Sequence, residues 1–169
     1  PVAGFSWMAV PYCTGDVHAG DVTKNFQGMN RHFNGVNNLK LMMTYATKTF
    51  PSVTTLFITG ESAGGFGSLA SYATIRDFYP DAHGVLMDDS GPVIDDDDLA
   101  VCLQEKMRST WSLNKNLPAD CACNNDAGNL ASAWKYMQAR YPKDSFSLIS
   151  SQSDIVISTF FAYGDNDCH

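Results

Sequence analysis

The 169-residue chain predicts an α/β fold, a parallel sheet with helices packed on both faces. Two features of the sequence carry that prediction. A module recurs: a helical segment, an aromatic–proline pair, a buried apolar run, and polar residues where the run ends. It is written as Phe50-Pro51 leading to Ser62, Tyr79-Pro80 leading to Asp88 and Asp89, and Tyr141-Pro142 leading to Asp154. Helices alternating with buried strands imply parallel pairing through right-handed crossovers. The second feature is the apolar, β-branched run Thr54 to Thr59, followed at once by a glycine-rich turn and a helix. The length supports one domain with a true core, so residues 1–169 are read as a single unit.

In chain order, residues 6–13 (SWMAVPYC) predict a strand to about Tyr12, then a long loop to about Asn34. Over residues 35–50, Val36, Leu39, Met43, Ala46 and Phe50 fall on one helical face. Asn34 is the expected N-cap and Pro51 the stop. Thr54 to Thr59 form a buried strand, Gly60 to Gly65 a sharp turn, and a helix carrying Leu69, Tyr72, Ala73 and Ile75 follows. Residues 83–89 (HGVLMDD) predict another buried strand, ending in the polar loop D-D-S-G-P. From Ile94 to about Arg140 the pattern is helical but irregular. Asp95 to Asp98 precede Leu99, Leu103 and Met107, where acids favour a helix N-terminus; a calcium site there is the weaker reading. Residues 117–128 read as a loop, 129–140 as a helix, 145–150 as a strand, and a helix-like segment begins at Ile155.

Composition narrows the function classes. A formal charge of −7 and a pI near 4.8 argue against a nucleic-acid partner. No run approaches the roughly 20 apolar residues of a membrane span. Five cysteines favour disulfides in an exported protein. Cys121 and Cys123, one residue apart, are expected to pair elsewhere and not with each other. Zinc is the weaker reading, since C-x-C lacks the usual C-x-x-C spacing. No cofactor or metal is called for. The chain opens Pro-Val-Ala-Gly without an initiator Met and stops at Asp-Cys-His, which reads as a cut at both ends of a longer sequence.

The chemistry centres on Gly60-Glu61-Ser62-Ala63-Gly64, the G-x-S-x-G of a nucleophile elbow, here with the strand and helix that the device needs on either side. A nucleophilic serine projects from a strained turn among small neighbours. The following helix aims its N–H groups at the place where an oxyanion forms. Ser62 is therefore the candidate nucleophile and the Ala63 N–H one oxyanion donor. A serine nucleophile needs a histidine base and an acid to orient it, in the order Ser, Asp or Glu, His on an α/β-hydrolase-like scaffold. Asp154 follows the second strand after the nucleophile strand and is the preferred acid, with Asp89 the alternative. His18 and His32 precede Ser62, His83 opens a strand at the opposite edge, and His169 has little chain between it and Asp154. The base is expected beyond residue 169, and the second oxyanion donor upstream of Pro1, ahead of Gly15 or Asp16.

Four stretches occur in order: V-P-Y-C-T-G-D-V-H-A-G-D (10–21), T-G-E-S-A-G-G-F-G (59–67), D-D-S-G-P (88–92) and S-x-x-D-x-V-I-S-x-F-F (151–161). Together they resemble the pectin acetylesterase/Notum family of serine carboxylesterases, in a bacterial-type form, over nearly the whole chain. The resemblance implies an α/β-hydrolase-like fold truncated at both ends, Ser62 as nucleophile, Ala63 as oxyanion donor and Asp154 as triad acid. It places Asp16, Val17 and His18 on a loop lining the site, where they contact substrate or hold the pocket. The family's glycine-rich loop and its histidine are not matched here. The family's export fits the cysteines and implies a secreted or periplasmic location, with Cys13 separated from its partner. Residues 92–142 read as a helical cap shaping an acyl pocket, with Trp111 and Trp134 in its core. The implied substrate is an acyl ester, an acylated polysaccharide or another. Lipase, thioesterase or peptidase activity, or a non-catalytic binding role, are the alternatives. The chain by itself is expected to turn over little.

Overall fold

The computed structural model describes residues 3–93, 95–124 and 129–161. Its centre is a three-stranded parallel sheet in the order β3 (Thr55–Glu61), β4 (His83–Asp89), β5 (Ser145–Ile149). The register runs from Thr55↔His83 to Glu61↔Asp89 and from Val85↔Ser145 to Asp89↔Ile149. All three strands therefore end level with one another. The ladder continues one step beyond them, with Ser62 N–H donating to the Asp89 carbonyl at 2.8 Å and Ser90 N–H to the Ile149 carbonyl at 2.7 Å.

Side-chain alternation decides which face is covered. Ile58, Leu86 and Phe146 point to one side, where α2 (Ala63–Ala70) and α3 (Tyr72–Phe78) lie. Leu69, Tyr72 and Leu86 are wholly buried there. On the other side Phe57, Val85 and Met87 are half-buried, and Phe5 meets Phe57 edge-on. α1 (Gly35–Thr49) buries Val36, Leu39, Met43 and Ala46, the spacing of one helical stripe. Asn34 makes no side-chain cap. Its place is taken by the Asp16 carboxylate, which accepts from Gly35 N–H at 2.8 Å, and by the Gly20 carbonyl, which accepts from Val36 N–H.

The N-terminal edge of the sheet is tied by Asp144. Its carboxylate accepts from Tyr72 Oη (2.8 Å), Arg76 Nε (2.8 Å) and Gly84 N–H (2.9 Å), joining α3, β4 and the entry to β5. Beyond β4, α4 (Val101–Trp111), two 3₁₀ turns (Leu113–Lys115 and Ala122–Asn124) and α5 (Ser132–Arg140) precede β5, and α6 (Ile155–Phe161) follows it. The side chain of Gln104 fastens this region, donating to Asp96 and the Leu99 carbonyl and accepting from Leu130 N–H.

Several expectations are corrected. Residues 6–13 are not a strand, and Trp7 is 66% exposed. The supposed loop to Asn34 contains an antiparallel hairpin, β1 (Val22–Phe26) and β2 (Met29–Phe33), turning on Gln27 (φ 50°) and Gly28 (φ 85°). Its strands are mostly exposed, so no apolar alternation announced them. The helix after Ser62 is two helices, divided at Ser71. Asp95 lies in a turn before α4, accepting from Asp98 and Leu99 N–H, and not at the helix start. Cys121 and Cys123 bond to each other, because the 3₁₀ turn between them brings their Cα atoms to 5.1 Å, within disulfide reach. Cys102 is also disulfide-bonded, whereas Cys13 is free and exposed. Among the described residues no helix is long and apolar enough to cross a membrane.

Candidate active site at the end of β3

Ser62 occupies the junction of β3 and α2 with φ 55° and ψ −116°. A positive φ at a non-glycine residue costs energy that the surroundings have to supply, and such residues cluster at functional sites. The surroundings here are specific. Ser62 N–H is held by the Asp89 carbonyl, and the Ser62 carbonyl accepts from Phe66 N–H at 3.1 Å, closing the first turn of α2. Gly60 lies so close to that turn that a Cβ would stand 2.2 Å from the Gly64 carbonyl oxygen. The first-turn N–H groups of α2, Ala63 among them, have no acceptor within the helix and carry its positive end.

The second wall is the loop 14–21. Asp16 is wholly buried, and its carboxylate accepts from Thr14 Oγ1 (2.8 Å) and from Gly35 N–H (2.8 Å). Those bonds hold two consecutive residues at positive φ, Val17 (47°) and His18 (59°). For a β-branched valine this is a strained conformation. Val17 N–H donates to Tyr12 Oη at 3.1 Å, and the Tyr12 and His18 rings pack with centroids 4.8 Å apart. The loop lies against α2, where a Cβ on Gly67 would stand 2.5 Å from the Val17 carbonyl oxygen. Burial pulls the His18 pKa below its ordinary value, against the opposing pull of Asp16.

Between these walls opens a cavity of about 1540 Å³ whose lining includes Val17, His18, Ser62, Ala63, Trp111 and Phe161. The structure thus brings Ser62 and Ala63 together with Val17 and His18. Asp16 is not part of the lining; it buttresses the loop from behind. Asp154 does not line the cavity either. Its Oδ1 accepts from Ile157 N–H at 2.9 Å and caps α6, whose Val156 and Ile157 do reach the cavity. Asp89 accepts from Ser90 Oγ at 2.9 Å. Among the described histidines only His18 lines the cavity: His32 bonds Thr23 on the hairpin, and His83 stands 3.9 Å from Asp144 at the far edge. His169 and Cys168 lie outside the described residues.

One residue of the site is named in the sequence only as half of the strand-end pair Asp88-Asp89, without a role of its own. Asp88 is wholly buried beneath the first turn of α2, on the same face as Gly84 and Leu86. Strict alternation from Leu86 would have found it.

Residues 5–165 match the sequence profile described as Pectinacetylesterase. The chain belongs to the pectinacetylesterase family. Two crystal forms of the Wnt deacylase Notum from Drosophila share the fold of this pectinacetylesterase-family chain. Their TM-scores are 0.62 and 0.59, each at 19% identity over 83% of this chain. The chain spans 44% and 43% of those two chains, less than half their length. No curated protein sequence matches it. The pectinacetylesterase-family chain thus has an α/β-hydrolase-like fold, and the β3–turn–α2 unit occupies its cavity-bearing edge.

Proposed function

We propose that this chain carries the nucleophile of a serine carboxylesterase that cleaves acyl esters through an acyl-enzyme on Ser62. The observation that carries the reading is Ser62 itself: a non-glycine residue at positive φ, between a buried strand and a helix N-terminus, on the wall of a large cavity. Membership of the pectinacetylesterase family supports the reaction class.

Ser62 Oγ attacks the ester carbonyl carbon as its proton passes to a histidine base. The carbonyl oxygen, now an oxyanion, is met by the Ala63 N–H and the positive end of α2. The alcohol leaves with that proton, and water then cleaves the acyl-enzyme by the reverse sequence. Asp154 is the acid that orients the base, supported by its place in the loop after β5 at the edge where β3 ends. Val17 and His18 contact the substrate, Asp16 holds their loop, and residues 92–142 form the cap. The acyl ester itself belongs to one class with acetylated pectin and acylated Wnt protein, the substrates that the relatives' descriptions name. A secreted or periplasmic location is supported by the disulfides, and the charge of −7 disfavours a nucleic-acid partner.

A non-catalytic binding role is the second reading, favoured by one observation: Asp154 is engaged as a helix cap. Fluorophosphonate labelling of the intact protein, its histidine base included, read by peptide mass spectrometry, separates the two. Modification is expected at Ser62 and lost in Ser62→Ala. Labelling at another serine, or none with native fold retained, overturns the esterase reading. A panel of esters, thioesters and amides then separates carboxylesterase from thioesterase and peptidase activity.

A further inference from the structure

Asp88 sits under the nucleophile turn, and the reaction described above gives it no part. It is 0% exposed, and Oδ1 accepts from Gly91 N–H at 3.0 Å while Oδ2 has no hydrogen-bond partner. Two glycines make room for it: a Cβ on Gly65 would lie 2.2 Å from Oδ1, and one on Gly91 would lie 2.6 Å from it. Gly65 belongs to the first turn of α2, three positions after Ser62. The carboxyl thus presses on the helix end that faces the cavity, from the side away from it.

A carboxylate buried with one oxygen unpaired is costly, and a neutral carboxyl tolerates the missing partner far better. Burial accordingly pushes Asp88 up to about 7; Gly91 N–H pulls it back and the neighbouring Asp89 adds to the rise. The other groups around it are few. β3 contributes Glu61, whose register partner is Asp89, while β5, α2 and residues 90–92 contain no titratable side chain.

We propose that Asp88 is a positioning residue for Ser62: its neutral form leaves the positive end of α2 to the reaction's oxyanion, and its ionised form competes for that end and slows acylation. The inference rests on Ser62 being the nucleophile. Asp88 touches no substrate; it acts through the first turn of α2.

The experiment measures the second-order rate of fluorophosphonate labelling of Ser62 from pH 5 to 9 in the intact wild-type protein and in its Asp88→Asn variant. Asparagine keeps an acceptor for Gly91 N–H and carries no charge. The Asp88 carboxyl is titrated in parallel by ¹³C NMR, a readout independent of Ser62. Deprotonation of the histidine base raises the rate in both proteins alike; on top of that rise the wild type is expected to lose about two- to tenfold across the range where the Asp88 carboxyl titrates, the size of a charge effect at a helix end. Asp88→Asn is expected to lack that loss. Parallel pH profiles in the two proteins, or a wild-type-to-variant rate ratio that does not fall where the carboxyl titrates, overturn the proposal and leave Ser62 standing. If Asp88→Asn does not fold, Asp88→Ala, which also carries no charge, serves as the reference in the same comparison. Absence of Ser62 labelling at every pH sinks the nucleophile reading, and this one with it.

Discussion

Two glycines of the elbow, four residues apart, are predicted to respond to alanine in opposite ways. At Gly60 the new Cβ would stand 2.2 Å from the Gly64 carbonyl oxygen and 2.3 Å from its carbonyl carbon. Both are backbone atoms, so no side chain can rotate out of the way. Restoring van der Waals contact requires the strand end and the first turn of α2 to separate by about 1 Å, an overpacking cost of about 1–3 kcal/mol. For a domain of this size each kcal/mol lowers the melting temperature by about 2–4 °C. Gly60→Ala should therefore melt about 2–12 °C below the wild type. The displaced turn carries Ser62, and a shift of about 1 Å in a reacting group can cost about 100-fold in rate. A Cβ on Gly64 meets nothing within 4 Å. Gly64→Ala should keep or slightly raise stability, by less than about 1 kcal/mol, because alanine loses less chain entropy in a helix. Thermal unfolding of both variants, with Ser62 labelling rates, checks the pair. If Gly60→Ala melts and labels like the wild type, or Gly64→Ala is the more damaged, the close approach of β3 to α2 is not what the elbow depends on.

Four further outcomes follow from the same geometry. Asp144→Asn strands Arg76, whose side chain is 6% exposed, as a buried charge without its partner, and should cost about 3–5 kcal/mol by urea unfolding. In the wild type, burial pushes the Asp144 carboxyl up, but Gly84 N–H, Tyr72 and Arg76 together outweigh it and hold it below the ordinary value. Its stabilising contribution is therefore complete above the ordinary aspartate pKa and is lost as pH falls through the lowered one; Asp144→Asn should flatten that acid limb. Asp88 has the opposite sign: with a folded value near 7 against 3.8 unfolded, it draws stability down as pH rises between them. Asp88→Asn should remove that decline and gain at most about 4 kcal/mol at pH 8. Asp16→Ala leaves Gly35 N–H without its acceptor and should cost about 1–3 kcal/mol, with faster amide exchange at Val17 and His18. Maleimide should modify Cys13 in the folded protein and leave Cys121 and Cys123 untouched until reduction.

Much of the fold was legible because its signals are local. β3, β4 and β5 fall where apolar runs stand, and α1 follows the stripe from Val36 to Ala46. The hairpin of β1 and β2 was not legible: with both faces largely in water, its strands need no alternation, and its Gln27-Gly28 turn is a weak hairpin signal. The pairing of Cys121 with Cys123 depends on a 3₁₀ turn that spacing alone does not reveal. Residues 6–13 show the converse error. Their apolar content suggested a strand, but they join no ladder and run along the cavity instead, with Trp7 and Tyr12 exposed.

At the site, the parallel register accounts both for what was legible and for what was not. It brings the ends of β3, β4 and β5 to one level, so that the residues following each strand share an edge, and that placement follows from the repeated aromatic–proline module. It does not say where each carboxyl turns. Asp89 and Asp88 are neighbours in sequence, yet the pleat sends Asp88 under α2 while Asp89 meets Ser90. Asp154 follows β5 at that edge and spends one oxygen on Ile157 N–H. Asp16, in a motif suggestive of substrate contact, turns inward to hold the backbone that presents Val17 and His18. Motif and topology place a residue on an edge; strand parity, helix ends and orphaned N–H groups then decide which way its side chain faces. At the end of β3 those second influences put Ser62 on the cavity wall and the buried Asp88 carboxyl behind the first turn of α2.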